Sequence, residues 1–487
     1  MPAIHTAEKY DADPPLLVDL DGTLIKTDTL LETAVLYVKE NPLQSFRMFA
    51  WLLRGKQVLK MELANRVRLN VESLPCNEEV VDYLQLQYKF GRKIVLCTGT
   101  WIGLARKIAA RFPFIENVIA TDSNTNLTGG TKAQWIRQQL GERGYDYIGN
   151  EPKDMAVWKL ARKALVVGSP DLAEAASRVS ALEKHFPDHN NKIRNWLKAI
   201  RIHQWAKNGL IFVPLLVSQS FMHFEAVTSA LVAFLSFGFC ASATYLLNDL
   251  ADLESDRKHS IKKARPLAAG LIPIQHAIAA IAVLLLLGLG TSILFLNSGF
   301  FLVLSGYLTL TILYSFRLKQ VQTVDVIVLA SLFTTRVVAG AAAIGVFVSF
   351  WLLSFSMFLF LSLAMVKRVS ELIHVEKDSH GEMEKISGRG YFTADIVVLQ
   401  SLGGTAGFMS VLVLALYINS PEVMKLYRLP EILWIVVPLI GYWIMRIWII
   451  TARGQMNEDP ISYAIRNKNS WFVATAILLV MIAAIIL

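Results

Sequence analysis

The chain has 487 residues, of which 54% are hydrophobic and only 18% are charged. This composition excludes an ordinary soluble protein of this size, and the length allows two or three domains. The net charge of +9 could suggest nucleic acid, but the basic residues lie at the ends of apolar segments, where the positive-inside rule places them. Three cysteines (Cys76, Cys97 and Cys240) lack disulfide or metal-site spacing, which indicates a reducing cytosolic compartment. We therefore expect a membrane protein that binds no nucleic acid.

The first 171 residues have the pattern of a soluble, Rossmann-like α/β domain. Short apolar runs at 15–21, 93–97 and 164–167 predict parallel strands, each followed by turn residues and a helical pattern. In such sheets the functional groups lie at the carboxyl ends of the strands. About seventy mostly helical residues separate the first two runs, and they predict a small helical cap inserted after the first strand.

A pair of carboxylates follows the first predicted strand, in the run Asp19-Leu-Asp21-Gly-Thr-Leu. Two carboxylates at a strand end can divide the work around Mg²⁺, because one attacks phosphorus while the other handles protons. The run resembles the haloacid-dehalogenase (HAD) phosphatase superfamily, over about residues 14–170. This resemblance implies that Thr98 holds the phosphoryl group and that Lys132 steadies the nucleophile. It also implies that Asp154 joins Asp19 and Asp21 as a ligand of Mg²⁺.

One position departs from that superfamily, since many members carry an Asp where this chain has Asn150. An amide can still orient water, but it offers less charge to a metal ion. Two interpretations therefore stay open for the soluble domain. It is either an active phosphatase or a degenerate domain kept as a non-catalytic regulatory module.

An amphipathic connector at 172–207 is expected to lead into a membrane domain at 208–487. Trp196 and Trp205 lie among lysines and arginines there, a mixture typical of the membrane interface. The apolar segments that follow suit a hydrocarbon core of ~30 Å. They predict an all-α bundle of nine spanning helices near 208–222, 226–247, 274–296, 299–316, 323–345, 349–366, 396–418, 431–450 and 470–487. The first is short and interrupted by Pro214.

Lysine and arginine are concentrated in alternate loops of this bundle. The positive-inside rule then predicts that the soluble domain and the active sites are cytoplasmic and that the C-terminus is periplasmic. The expected location is a bacterial inner membrane. The oligomeric state is not predicted.

The second predicted spanning helix ends in a polar stripe of Asn248, Asp249, Asp252 and Asp256. At about 100° per residue, the four positions fall within roughly a 100° arc of one helix face. Such carboxylates repel one another without a cation, and their oxygens suit a Mg²⁺ ion that also grips a diphosphate. An ordinary charged loop is the alternative, but it would not explain the acidic stripe. Basic residues able to contact phosphate oxygens follow at Lys262, Lys263 and Arg265.

The N-D-x-x-D-x-x-x-D run at the end of the second of nine helices resembles the UbiA superfamily of intramembrane prenyltransferases, over about residues 195–487. That superfamily normally carries a second Asp-rich motif after the sixth helix. This chain instead has Lys367-Arg368-Val-Ser-Glu371-Leu, followed by Arg389, Tyr391 and Asp395. The replacement is similar to one branch, the decaprenyl-phosphate phosphoribosyltransferases. Other segments that agree with this branch contain Lys207, the basic run 259–270, Tyr314, Lys319, Asp325 and Arg336.

The resemblance implies that 5-phosphoribosyl diphosphate is the donor and a polyprenyl phosphate the acceptor. Mg²⁺ at Asp249, Asp252 and Asp256 would then neutralise the leaving pyrophosphate. The phosphatase-like domain would remove the 5-phosphate, giving a precursor for cell-envelope glycans. The substrate-binding residues would be Lys207, Asn248, Lys262, Lys263, Arg265, Tyr314, Lys319, Arg336, Lys367, Arg368, Glu371 and Arg389.

Three alternatives remain open for the membrane domain. Lys367 and Arg368 could be positive-inside anchors. Arg336 is costly inside an apolar helix, and its role could be no more than an ion pair with Asp325. The enzyme could instead move a polyprenyl group from its diphosphate to an aromatic acceptor. That reaction predicts a second carboxylate cluster after the sixth helix, where the sequence has Lys-Arg.

Overall fold

The structure is a computed structural model that describes residues 13–188, 191–378, 389–456 and 459–486. The chain divides into two compact units. The first comprises the residues up to Ile200 together with Leu246–Ala280, and the second comprises Arg201–Tyr245 together with the residues from Ile281 onward. The acidic stripe predicted in the membrane domain therefore belongs to the same compact unit as the soluble domain.

The first unit is built on a parallel sheet of six strands in the order β3-β2-β1-β4-β5-β6. Parallel strands need both faces covered, and apolar clusters fill both sides of this sheet. The strands are β1 (Leu16–Val18), β2 (Ile94–Trp101), β3 (Ile115–Thr121), β4 (Asp146–Gly149), β5 (Lys163–Gly168) and β6 (Ala181–Pro187).

The central position of β1 fixes where the first carboxylate pair lies. All three residues of β1 are fully buried, and Leu16 pairs with Ile94 of β2 on one side and with Asp146 of β4 on the other. Asp19 follows directly, at the carboxyl end of the sheet. Its neighbours there are the ends of β2 and β4, so the predicted motifs converge at one edge.

Nine α-helices accompany the sheet. The helices α1 to α3 lie between β1 and β2 and share a small core of Tyr37, Trp51, Leu59, Leu63 and Val67, which confirms the predicted helical cap. The helices are α1 (Thr29–Glu40), α2 (Arg47–Leu53), α3 (Lys56–Arg66), α4 (Glu78–Lys89), α5 (Ile102–Ala109), α6 (Gly130–Leu140), α7 (Met155–Trp158), α8 (Pro170–Ser177) and α9 (Lys192–Ala199).

The sheet extends further along the chain than the sequence suggested. Most of α8 and all of β6 lie within the segment 172–207, which we expected to form a helical connector. Most side chains of β6 are exposed, because it is the last strand at one edge of the sheet. Its polar residues therefore hide the apolar alternation by which a strand is recognised. The end of α8, α9 and the residues after α9 have the predicted helical character, and β6 does not.

The remaining helices are α10 (Val213–Val217), α11 (Phe224–Ala251), α12 (Leu253–Lys258), α13 (Ile274–Phe295), α14 (Ser298–Phe316), α15 (Val324–Ile344), α16 (Phe350–Asp378), α17 (Ile396–Ile418), α18 (Pro421–Leu426), α19 (Val436–Ala452), α20 (Pro460–Arg466) and α21 (Lys468–Ile486). Eight helices in the described part of the chain are long and apolar enough to cross a membrane: α11, α13 to α17, α19 and α21. Large apolar side chains such as Leu286, Leu302 and Val397 are more than 70% exposed on them, as lipid-facing residues are.

Eight of the nine predicted spanning helices are thus present, and the first is not. The segment 208–222 instead continues a 3₁₀ helix over Ile202–Phe212, which passes into the short α10. Pro214 lies in the first turn of α10, so a helix coming from the preceding residues would lose a backbone hydrogen bond there. The predicted classes, an α/β domain with a helical cap and an all-α multi-pass membrane bundle, are otherwise confirmed.

Candidate functional site

A cavity of about 340 Å³ opens at the carboxyl edge of the N-terminal sheet. Asp19, Asp21 and Asp154 line it from the sheet side, and the cap contributes Lys56 and Lys60 from α3. The structure therefore brings these three carboxylates together in one place. The cavity combines carboxylates with lysines, which suits a substrate that carries a phosphate group.

Asp19 starts a chain of hydrogen bonds that crosses the cavity floor. Lys132 Nζ donates to Asp19 Oδ1 at 3.0 Å and to the Tyr147 hydroxyl at 2.9 Å. The Tyr147 hydroxyl donates to Asp154 Oδ1 at 2.9 Å, and the backbone N–H groups of Asn150 and Glu151 donate to Asp154 Oδ2 at 3.0 Å each. Lys132 lies in the first turn of α6, so that helix fixes the cation beside Asp19.

Asp21 is held by hydroxyl and amide donors from two other segments. The backbone N–H of Thr29, the first residue of α1, donates to its Oδ1 at 2.8 Å, and the Thr100 hydroxyl donates to its Oδ2 at 2.9 Å. Thr98, the residue that the resemblance implied, is fully buried and bonds Thr100 at 3.2 Å. Thr100 lines the cavity in its place. Thr98 thus orients the hydroxyl that faces the site.

The turn between Asp21 and Asn150 is tight. Gly22 has a φ of +74°, and a Cβ atom at this position would collide with the Asn150 side chain. The Thr23 hydroxyl donates to Asn150 Oδ1 at 2.9 Å, so the amide is fixed against this turn. The close approach explains why glycine follows the second carboxylate.

Burial makes both carboxylates of the first motif hard to ionise. Burial raises the pKa of Asp19 to about 6 although Lys132 opposes it, and burial together with the nearby Asp28 raises the pKa of Asp21 to about 7. Burial alone would lower the pKa of Lys132, but the attraction of Asp19 raises it above its ordinary value. Two carboxylates whose ionised forms are destabilised by burial thus face one cavity. A divalent cation fits this arrangement, because its charge would stabilise the ionised forms. Asp19 and Asp21 are the residues that would hold it.

Asp249, Asp252 and Asp256 of the acidic stripe do not lie on one uninterrupted helix. The α-helix α11 ends at Ala251 and α12 begins at Leu253, with Asp252 between them. Hydrogen bonds from the Asp252 N–H to Asn248 O at 2.9 Å and from the Asp256 N–H to Asp252 O at 2.8 Å keep the helical spacing. The stripe is therefore bent at Asp252 rather than lost.

A single guanidinium joins the two ends of the stripe. Arg265 Nη1 lies 3.1 Å from Asp249 Oδ1 and 2.6 Å from Asp256 Oδ2, and both carboxylates are buried. Two carboxylate oxygens that converge on one positive atom can also share a metal ion. Asp249 and Asp256 therefore fit the predicted Mg²⁺. In the part of the chain that the structure describes, neither predicted trio of aspartates closes into a three-ligand metal cluster.

The second unit contains a cluster of cations around one carboxylate. Lys207 Nζ lies 3.1 Å from Asp459 Oδ2, and Lys367 Nζ lies 3.3 Å from the same oxygen. The lysine side chains are 9% and 29% exposed, and that of Asp459 is 13% exposed. Two lysines against one carboxylate leave an excess positive charge. This is the arrangement that an anionic substrate group would complete.

Arg336 lies in α15. Asn208, which follows Lys207 of the cluster in the chain, is its hydrogen-bond partner. Arg336 Nε donates to Asn208 Oδ1 at 3.0 Å and its Nη2 to the Tyr307 hydroxyl at 3.2 Å, and its guanidinium stacks against Phe237 and Phe333. The alternative of a pair with Asp325 is wrong, because no carboxylate in the described ranges lies within 4.0 Å of Arg336. Asn208 Nδ2 is buried, with no hydrogen-bond partner in the described structure. In the described structure, Arg336 thus has a positive charge that no carboxylate neutralises, and Asn208 beside it has an amide N–H group that can donate to a ligand.

A second network in this unit pairs its arginines with carboxylates. Buried Asp325 accepts from Tyr314 at 2.7 Å, from Arg389 at 2.9 Å and from Arg368. Glu371 pairs with Arg368 and lies 3.5 Å from Arg389 Nε. Two arginines are therefore balanced by two carboxylates, and Arg368 has no exposed surface. This geometry favours a structural role for Arg368 and separates it from its neighbour Lys367.

The other predicted substrate residues differ in exposure. Lys262 and Lys263 are exposed on a short 3₁₀ helix that follows α12, and Lys319 is half-buried on another after α14. Asn248 is half-buried near the end of α11.

Several residues of these clusters were missed in the sequence. Thr100, Tyr147 and Lys60 belong to the soluble cavity, and Asp459 and Asn208 belong to the cation cluster. Asn208 could have been found from the sequence, since it follows Lys207 in a segment that resembles the decaprenyl-phosphate phosphoribosyltransferases. Asp459 had none, because its partners come from helices far away in the chain.

The chain resembles known proteins along most of its length. It is 36% identical over 473 residues to the uncharacterized protein y4nM of Sinorhizobium fredii, covering 96% of this chain and 90% of that one. It is 31% identical to the nodulation protein NoeC of Azorhizobium caulinodans, covering 56% of this chain and 88% of that one. It is 32% identical to the decaprenyl-phosphate phosphoribosyltransferase of Corynebacterium glutamicum, covering 44% of this chain and 65% of that one.

Solved structures resemble each part of the chain at lower similarity. A UbiA homolog from Archaeoglobus fulgidus bound to DMAPP and Mg²⁺ is 20% identical with a TM-score of 0.45, covering 60% of this chain and 100% of that one. A HAD family hydrolase from Salmonella enterica is 12% identical with a TM-score of 0.28, covering 36% of this chain and 68% of that one. The sequence model of the UbiA prenyltransferase family matches residues 211–472, more than half of the chain. The chain therefore belongs to the UbiA prenyltransferase family.

Proposed function

We propose that the membrane domain transfers 5-phosphoribose from phosphoribosyl diphosphate to a polyprenyl phosphate, and that the N-terminal domain then removes the 5-phosphate. The observation that carries the first half is the cation cluster of Lys207 and Lys367 around Asp459, with Arg336 and the Asn208 amide beside it. An acceptor that is itself a phosphate needs cations at its binding site. The relatives named decaprenyl-phosphate phosphoribosyltransferase support the same assignment.

The proposed transfer breaks the bond between ribose C1 and the pyrophosphate oxygen and forms a bond between C1 and an oxygen of the lipid phosphate. Mg²⁺ at Asp249 and Asp256 would supply charge for the leaving pyrophosphate. Arg265, which joins these two carboxylates, adds a guanidinium that can hydrogen-bond phosphate oxygens. Lys207 and Lys367 hold the acceptor phosphate. The protein therefore contributes positioning and charge rather than covalent chemistry.

The proposed hydrolysis uses the cavity at the carboxyl edge of the sheet. Asp19 attacks phosphorus while the bond to the ribose 5-oxygen breaks, and Asp21 gives its proton to that oxygen. Asp21 lines the same cavity and the Thr100 hydroxyl holds its Oδ2 at 2.9 Å, so its carboxyl group is fixed within the site for this role. A water molecule then releases inorganic phosphate from Asp19, with Asp21 as the base. Lys132 and Lys60 line the same cavity and can hold the phosphate oxygens.

A donor that carries two labels tests both halves together. Membranes that contain the protein receive a polyprenyl phosphate and phosphoribosyl diphosphate with a carbon label in the ribose and a phosphorus label in the 5-phosphate. We expect the carbon label to enter the lipid fraction and the phosphorus label to appear as inorganic phosphate. The absence of any labelled lipid would overturn the transferase assignment. Carbon and phosphorus labels retained in a constant ratio on the lipid would overturn the phosphatase assignment.

Matched variants assign the activity to residues. Asp249→Asn is expected to abolish lipid labelling, whereas Glu225→Gln, an exposed acid at the other end of α11, is expected to leave it unchanged. The rival reaction is tested in parallel with a labelled polyprenyl diphosphate and a phenolic acid. A prenylated aromatic product, without labelled phosphoribosyl lipid, would establish that rival.

A further inference from the structure

The segment that follows the acidic stripe packs on the cap side of the N-terminal domain, inside the first compact unit. We call residues 253–270 the stripe loop. Its anchor is Arg257, whose Nη2 lies 2.5 Å from Glu32 Oε1 and whose Nη1 lies 3.2 Å from Glu32 Oε2. The two side chains are 5% and 4% exposed. A buried, two-pronged ion pair therefore joins the stripe loop to α1.

The environment of this pair is complete on both sides. The Thr27 hydroxyl donates to Glu32 Oε1 at 2.6 Å, and Arg257 Nε donates to Ala268 O at 3.0 Å. The same arginine thus ties the start of the stripe loop to its end while it holds α1. A buried charge that loses its partner is left unsolvated, so neither residue is readily replaced.

Two further contacts extend the attachment. Asn70 Nδ2 donates to Glu254 Oε1 at 3.3 Å. Gly270 has a φ of +69°, and a Cβ atom there would lie 2.7 Å from Lys26 Cβ and 2.8 Å from Lys26 O. The stripe loop therefore touches the N-terminal domain at its beginning, through Arg257, and again at its end.

The attachment reaches the acidic stripe through adjacent residues. Arg257 follows Asp256 directly, and Asp256 shares Arg265 with Asp249. Fixing Arg257 against Glu32 therefore fixes the backbone that carries one of the two converging carboxylates. Arg265 lies in the same loop, between the two points of attachment. Both partners of this carboxylate–guanidinium arrangement thus depend on the N-terminal domain for their position.

We propose that Glu32 is a positioning residue for the transferase, so that the N-terminal domain braces the stripe loop independently of its own catalysis. The inference rests on the proposed function, because it assigns Asp249 and Asp256 to the transfer reaction. It predicts that the transferase needs the N-terminal domain as a structural part even when the phosphatase carboxylates are disabled. The brace acts through Arg257 and not through any contact of Glu32 with substrate.

The test compares Glu32→Gln, Asp19→Asn and Glu40→Gln in the full-length chain in membranes. Glu40 is an exposed acid on the same helix as Glu32 and serves as the matched control. We expect Glu32→Gln to lower kcat/KM for lipid labelling at least tenfold and to raise the Mg²⁺ concentration that gives half-maximal transfer. We expect the other two variants to transfer within twofold of the wild type. Equal transfer by the wild type and Glu32→Gln would overturn the inference, as would an equal loss in Asp19→Asn.

Hydrogen exchange supplies a readout that does not depend on activity. Backbone amides of residues 253–270 are expected to exchange faster in Glu32→Gln, while those of Ile94–Cys97 in the sheet keep the wild-type rate. Unchanged exchange in the stripe loop, or faster exchange in both segments, would overturn the brace. A wild-type chain that labels no lipid would sink the proposed function alone, because the exchange result still decides whether Glu32 holds the loop.

A milder variant covers the case in which Glu32→Gln does not accumulate. Thr27→Val removes one hydrogen bond to the same carboxylate and keeps its charge paired with Arg257. It is expected to give a smaller change of the same kind, with lower transfer and faster exchange confined to residues 253–270. Wild-type transfer and exchange in Thr27→Val, together with an unfolded Glu32→Gln, would overturn the positioning role.

Discussion

Replacing Lys367 by Met is expected to weaken binding of the lipid phosphate while the fold is retained. The variant keeps the length and apolar stem of the side chain and removes its charge. Asp459 stays paired in the variant, because Lys207 lies 3.1 Å from the same oxygen. The corresponding change at Lys207 would be harder to interpret, because that side chain is only 9% exposed and lies over the Phe333 ring, so its replacement would also disturb packing.

The magnitude follows from the exposure of the lysine. A hydrogen bond to a charged group contributes about 1.5–3 kcal/mol. The Lys367 side chain is 29% exposed, so solvent screens part of its charge and the lower figure applies. About 1.5 kcal/mol corresponds to roughly a tenfold change in an equilibrium constant. We therefore expect the KM for polyprenyl phosphate to rise about tenfold.

The assay measures initial rates of lipid labelling at saturating phosphoribosyl diphosphate, over a range of polyprenyl phosphate concentrations. Arg453→Met is the matched control, because it removes an exposed cation of the same unit outside the cluster. The KM for phosphoribosyl diphosphate is expected to stay within twofold in both variants. A KM for polyprenyl phosphate that is unchanged in Lys367→Met would refute the assignment of this cluster to the acceptor.

Three further outcomes follow from the described contacts. Asp19→Asn is expected to stop release of the 5-phosphate label while the carbon label still enters the lipid, as scintillation counting of the two fractions would measure; release at the wild-type rate would contradict the role of Asp19. Because the pKa values of Asp19 and Asp21 are raised to about 6 and about 7, protons compete with Mg²⁺, so calorimetric Mg²⁺ affinity of the N-terminal site is expected to fall as pH drops through 7 and 6. A Mg²⁺ affinity that does not change with pH would argue against this reasoning. The same raised pKa values stabilise the folded, metal-free domain at low pH, and this stabilisation is lost as pH rises through 6 and 7. Asp325→Asn leaves Arg368 and Arg389 short of charge in a buried site, so the free energy of unfolding is expected to fall by about 3–5 kcal/mol, measured by thermal unfolding in detergent; a wild-type unfolding temperature would contradict it.

The fold classes could be predicted because long apolar runs and a carboxylate pair after a buried strand are local signals. The missed strand β4 shows where local signals fail. It is four residues long and begins with Asp146, which reads as a loop residue. Arg92 and Arg162, distant in the chain, neutralise that buried carboxylate, and sequence pattern cannot supply such partners.

The candidate sites divide in the same way. Asp19, Asp21 and Lys132 were predictable because each follows or starts a regular element that ends at one edge of the sheet. Thr100 was not distinguished from Thr98, since both lie in one Thr-Gly-Thr run and only the strand's geometry decides which hydroxyl faces the cavity. Asp459 was invisible, because its role depends on two lysines brought to it by tertiary packing.

Lys367 and Arg368 show what separates two adjacent cations that composition counts as equivalent. The lysine acts as a compact point charge at a partly exposed cluster, where a longer guanidinium can take its place. The arginine uses its planar fork to join Asp325 and Glu371 without any exposed surface, and an ammonium group cannot span those two partners. Exchange of lysine and arginine is therefore a small change at one position and a loss of geometry at the next. A change of the first residue alone therefore leaves the helix packing intact, whereas a change of the second breaks it.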